Sequence, residues 1–229
     1  MDGTRPVARV WFGVAALVAA VSLIVRLGLT WTEDEDTLAT RLVRFASYFT
    51  IQSNLLVAVS LGALALGLGV GSRRLATVRL AATMGIAVTL LVYQTVLRGT
   101  SDLQGLEVWT SRGFHTVVPA MAVSGWLLFG PRPRWTAAML RAAIAWPVLW
   151  LGWTLAHGAV TDWYPYPFLD VVDLGYARAL LDCLAVAALM VAVGYGLLRL
   201  DRALPPADEP ARAQRSPELH DHGGGAAAA

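Results

Sequence analysis

Long apolar runs alternate with short polar breaks along this chain, and the run length is the first informative feature. A membrane-crossing helix needs about 20 mostly apolar residues at about 1.5 Å of rise each. Six segments meet that length, roughly Val7–Leu29, Ser47–Val70, Leu75–Leu97, Phe114–Gly130, Thr136–His157 and Ala177–Leu200. None alternates apolar and polar residues at period two, so a β-barrel is not expected. Gly69–Gly71, Gly99, Gly130–Pro131 and Pro165 with Pro167 break the chain between runs. The pattern predicts an all-α, six-helix transmembrane bundle over residues 1–202 and a disordered cytoplasmic C-terminal tail over 203–229. The tail is rich in Pro, Gly and Ala and has too little apolar surface to fold. The first run is too long for the core of a secretory signal, so it is expected to remain as a span.

Charge then orients the bundle. Arg5 and Arg9, Arg73, Arg74 and Arg79, Arg132, Arg134 and Arg141, and Arg199, Arg202, Arg212 and Arg215 fall at the N-terminus, the even loops and the C-terminal end. The odd loops hold the acids: Glu33 to Asp36, Asp102 and Glu107, and Asp162, Asp170 and Asp173. Basic residues favour the cytoplasmic side. The expectation is a multi-pass protein of a bacterial cell membrane with both termini cytoplasmic.

Composition agrees and excludes alternatives. The 229 residues are 56% hydrophobic and 15% charged, against about 25% charged in a soluble domain, and mean hydropathy is +0.56. A soluble domain, a disordered chain and a nucleic-acid-binding protein are thereby excluded. All 18 basic residues are Arg. They serve topology and contact with anionic lipid, not nucleic acid. Membrane lipid is the expected partner; nothing in the sequence specifies a protein partner. Cys183 cannot form an internal disulfide. His220 and His222 lie in the tail and are read as solvated, so neither a metal nor a cofactor is expected.

With that orientation the unusual residues gather at the outer face. Thr50, Ser53 and Asn54, with Ser47 one turn earlier, form a polar stripe at the head of span two. Such residues bond helices together in membranes, or they line a polar pocket. His115 opens span four, and Pro119 four residues on removes the N–H that would bond the His115 carbonyl. An ionisable side chain at membrane depth is a functional candidate, and imidazole transfers protons near neutrality. No carboxylate lies within a turn of it. Gln94 and Arg98 end span three, and Arg178 and Asp182 are spaced as an ion pair on span six. Trp31, Trp109, Trp163, Tyr164 and Tyr166 are explained by an outer aromatic belt. Two prolines make Tyr164–Phe168 a stiff loop, able to cover a pocket lined by spans two to five.

These residues carry a resemblance. Thr50 at the head of span two, Gly113, His115 and Thr116 at the head of span four, and the Tyr164–Phe168 loop together resemble the androgen-induced and androgen-dependent membrane hydrolase family. The sequence looks like a six-span bacterial branch of that family. The family hydrolyses fatty acid esters of hydroxy fatty acids with an intramembrane Thr–His pair. The resemblance covers the span order and three short motifs. It implies a hydrophobic ester substrate, Thr50 as nucleophile and His115 as general base, with Ser47 and Ser53 as alternative hydroxyls. Asn54, Gln94 or Tyr166 would line the substrate pocket and supply oxyanion donors. The rival expectation is a non-catalytic multi-span protein that binds lipid or a partner. In that case Thr50 and His115 face different sides of the bundle.

Overall fold

The computed structural model describes residues 6–100, 102–132 and 134–206. Most of the tail expected over 203–229, including His220 and His222, lies outside the described residues. Among the described residues there are eight α-helices and no strand. The helices are α1 (Pro6–Thr32), α2 (Leu38–Ser47), α3 (Phe49–Ala65), α4 (Arg73–Val92), α5 (Leu106–Arg112), α6 (Val118–Phe129), α7 (Ala137–Thr161) and α8 (Val171–Ala203). Thr37, Ser72, Thr136 and Asp170 cap α2, α4, α7 and α8 with their side chains.

The burial pattern of α1 is that of a lipid-facing helix. Ala8, Phe12, Ala15 and Ala19 are its buried face, and the small residues let α1 lie close against α3. The opposite face exposes Val7, Val10, Val14, Leu17, Val21 and Ile24, between 45% and 69% each. A soluble helix would turn such a stripe inward. Helix α4 is the centre of the bundle: Leu80, Ala82, Met84 and Ile86 are essentially inaccessible, enclosed by α3, α6, α7 and α8. Four helices, α1, α4 with its extension to Leu97, α7 and α8, are long and apolar enough to cross a membrane, and α2–α3 makes five if that bent pair is one span. This fits a multi-pass membrane protein.

Three elements depart from the sequence reading. Span two does not start at Ser47: the chain bends by 70° between α2 and α3, with Tyr48 in extended conformation at the break. The bend is held by tryptophans of α7. Trp150 Nε1 donates to the Ser47 carbonyl and Trp153 Nε1 to Ser47 Oγ, at 2.8 and 2.9 Å. Trp146 Nε1 donates to Gln52 on the other side of the break. The fourth apolar segment starts earlier than Phe114, because α5 runs through a π-turn at Gly113–Val117 into α6. The α6 portion after Val118 is only 12 residues long. Finally, Tyr164 and Tyr166 are buried rather than placed in an interfacial belt. Tyr164 packs flat on Gly158, where a methyl group would overlap its ring, and Tyr166 lies on Phe168 and beside Tyr48.

At the end of the bundle away from His115, a buried carboxylate ties three elements. Asp201 of α8 is inaccessible and accepts hydrogen bonds from Trp126 Nε1 and from the backbone N–H groups of Arg134 and Trp135. Arg79, also buried, donates to the carbonyls of Gly130 and Pro131 and lies over the Trp135 ring.

Candidate active site

Thr50 is the second residue of α3, and His115 sits inside the π-turn that leads into α6. Pro119 has no N–H for the His115 carbonyl, and the ladder there widens: the N–H of Val118 reaches the Gly113 carbonyl. Tyr93 begins a second π-turn, closed by the Arg98 N–H on its carbonyl at 2.8 Å. Gly113 faces α1 closely: a methyl there would meet Ser22 Oγ, which would have to turn aside.

These elements bring a hydroxyl, an imidazole and a phenol together. Thr50 Oγ1 lies 3.4 Å from His115 Nε2 and 3.1 Å from the Tyr166 hydroxyl. His115 Nδ1 lies 2.9 Å from the Ser111 carbonyl oxygen. A carbonyl only accepts, so Nδ1 carries the proton and Nε2 presents its lone pair to Thr50. The Thr50 N–H donates to the Tyr166 oxygen at 3.1 Å. The one remaining assignment that satisfies every donor has Tyr166 O–H pointing to Thr50 Oγ1 and Thr50 O–H pointing to His115. The imidazole stacks on Tyr93, with centroids 4.1 Å apart and planes 11° apart. Burial pushes the Tyr166 phenol up to about 12, against the lowering effect of its hydrogen bonds with Thr50. It therefore remains a protonated donor throughout the neutral range.

Thr50 and Tyr166 stand at the junction of two cavities. One, of about 500 Å³, has a mixed wall and holds the polar groups, opening among Arg26, Glu107, Ser111, His115 and Trp163. Its rim is cross-linked by Arg26, which pairs with Glu33 at 3.2 Å and Glu107 at 2.9 Å, and by the Arg44–Asp36 pair. The other, of about 180 Å³, is an almost wholly apolar groove between α4, α7 and α8. Both include Thr50, Leu97 and Tyr166 in their walls.

The other residues singled out in the sequence take different places. Ser47 belongs to α2, bonds to the Val43 carbonyl and to Trp153, and lines neither cavity. The break at Tyr48 removes it from the Thr50 stripe. Ser53 is fully buried against Gly85 and Trp146, with no partner for its hydroxyl among the described residues. Asn54 does not line a pocket either. Its Nδ2 donates to the carbonyls of Thr50, at 2.8 Å, and Phe114, at 3.4 Å, so it links the backbones that carry Thr50 and His115. Gln94 is exposed and bonds to Thr116 and Arg98. Arg178 and Asp182 do form an ion pair, at 3.0 Å. His157 has other neighbours, Trp153 and Trp163. Tyr93 and Ser111 are the members sequence reading did not find. Ser111 lies four residues before His115, the helical spacing that puts its carbonyl under the ring. The pocket walls also differ from the expected spans two to five: α1 lines the polar cavity, and α8 forms one side of the groove.

No family model, curated protein or solved structure matches this chain.

Proposed function

We propose that the protein is an intramembrane lipid-ester hydrolase of six spans, with both termini cytoplasmic and its site near the outer leaflet. The resemblance to the androgen-induced and androgen-dependent hydrolases belongs to the same proposal. The observation that carries it is the Thr50–His115–Tyr166 cluster standing where an apolar groove meets a polar cavity. An ester placed there has its acyl chain in hydrocarbon surroundings and its alcohol in polar ones.

The chemistry follows from the donors present. Thr50 Oγ attacks the acyl carbonyl as its proton passes to His115 Nε2. Negative charge develops on the carbonyl oxygen. The Tyr166 O–H is the donor at hand for it, with the positive end of the 17-residue helix α3 beside it. Collapse of the tetrahedral intermediate breaks the ester C–O bond, and the leaving alkoxide takes the proton from His115. A water from the polar cavity, deprotonated by His115, then cleaves the acyl–Thr50 ester. The Ser111 carbonyl holds the imidazole in one tautomer throughout, the orienting part often played by a carboxylate.

The test is labelling by a fluorophosphonate hydrolase probe in membranes. Wild-type protein is expected to label and Thr50→Ala to stay silent. A silent wild type favours the lipid- or partner-binding role instead. Tyr166→Phe keeps the ring and its packing, removes the donor to Thr50 Oγ1 and leaves the Thr50 N–H without its acceptor. It is expected to lower kcat by about 10²–10³-fold with KM little changed, read from initial rates of fatty-acid release. An unchanged kcat removes Tyr166 from the oxyanion site.

A further inference from the structure

The groove that ends at Thr50 has a closed floor, and three helices agree on its depth. Its deepest lining residues are Val88 on α4, Ile144 on α7 and Met190 with Val191 on α8. One turn further on each helix stand Met84, Leu140 and Gly194. Gly194 closes directly on the other two. A Cβ built on Gly194 would lie 2.7 Å from Leu140 Cδ1 and 3.0 Å from Met84 Sδ, and Met84 and Leu140 are buried. No chain passes that layer.

We propose that this groove is a ruler for the acyl chain, admitting a straight chain of about ten carbons measured from the carbonyl held at Thr50. This rests on the lipid-ester reading of the site. The lining runs from Val88 to Leu97, which shares the Thr50 wall, and on α8 from Cys183 to Val191, eight to nine residues and therefore about 12–13 Å. A C–C bond of about 1.52 Å at an angle of about 111° advances an extended chain roughly 1.25 Å per carbon. A longer chain meets Leu140 and Met84 and has to turn out between α7 and α8, past Val148 and Val191, which are exposed. Selectivity rests on fit. The chain arrives from hydrocarbon, so moving it into an apolar groove brings no gain from leaving water. Ala187, on the α8 face of the groove, is the position where a larger side chain fills its middle.

The experiment uses full-length protein in phosphatidylcholine nanodiscs and two readouts. In the first, an equimolar mixture of straight-chain acyl glycerol esters from six to eighteen carbons is offered together, and the released acids are quantified. Release is expected to peak near ten carbons and to be at least tenfold lower at sixteen. In Ala187→Phe the peak moves to six or eight. The second readout needs no turnover. Thr50→Ala protein is photolabelled with fatty acids bearing a terminal diazirine, and the labelled peptides are mapped. A ten-carbon probe is expected to mark Leu140–Ile144 and Met190–Gly194, with Ala187→Phe abolishing the mark and Ala187→Leu weakening it. Equal release at all lengths, with turnover present, overturns the ruler and leaves the hydrolase standing. Absent turnover with the photolabel pattern intact overturns the hydrolase and leaves the ruler. A ten-carbon label that is spread along all helices, or unmoved in both variants, overturns the ruler whatever the turnover.

Discussion

His115→Ala is expected to slow lipid-ester turnover by about 10⁴–10⁶-fold, the loss seen when the base of a nucleophile–base pair is removed. The reason is specific to this site. The Thr50 hydroxyl has two polar neighbours, and Tyr166 faces it as a donor. Only His115 Nε2, 3.4 Å away, can take its proton. Without the imidazole the nucleophile is a neutral alcohol. The structural cost is contained, because the half-buried ring stacks only on Tyr93 and meets Phe114 by its edge, and its shorter bond to Ser111 is to a backbone carbonyl. The effect should therefore lie in kcat, with KM held within a few fold. Added imidazole should restore part of the rate, since the polar cavity of about 500 Å³ leads to the vacated position. Initial rates with and without imidazole decide the matter. A rate within tenfold of wild type would remove His115 from the chemistry and favour a binding role for the cluster.

Asp201→Ala is expected to destabilise the fold by about 3–5 kcal/mol, the range for breaking a buried charged network. The carboxylate accepts three hydrogen bonds, from the Trp126 indole and the Arg134 and Trp135 backbone. Deletion strands two buried donors, the Trp126 indole and the Trp135 N–H, and the half-buried Arg134 N–H, beside a buried Arg79 guanidinium that lies over Trp135. Thermal unfolding in detergent, followed by tryptophan fluorescence, measures the change. Asp201 is at the opposite end of the bundle from Thr50, so the specific activity of the folded fraction should be unchanged. A loss below about 1 kcal/mol would mean that water reaches the carboxylate.

The apolar helices were legible because hydrocarbon imposes length and composition on any helix that crosses it. Thr50 and His115 stood out for the same reason, since a polar group in an apolar run has to be explained, whereas Tyr166 read as one of several belt aromatics. What the sequence could not reveal was which neighbours each would meet. The bend at Tyr48 carries no Pro or Gly, and its cause is three tryptophans about 100 residues away that bond across it. Asn54 reads as a pocket residue by its spacing from Thr50, yet its amide is spent on two carbonyls. Val186, Ala187 and Met190 were invisible as a groove wall because the middle of α8, from Cys183 to Leu198, is apolar all round. Composition cannot tell a side facing lipid from a side facing a cavity. Ser111 contributes a backbone oxygen, which any residue could have supplied.

The shared wall at Thr50 and Tyr166 has a bearing on product traffic. A bond broken at that wall is cut on a phase boundary. On the proposed reading the acid is left on the oily side, facing the gap between α7 and α8, and the alcohol on the wet side beneath the Arg26 cross-links. Neither fragment has to pass the other: the alcohol can clear the wet side first, making room for the water that frees the acyl group from Thr50.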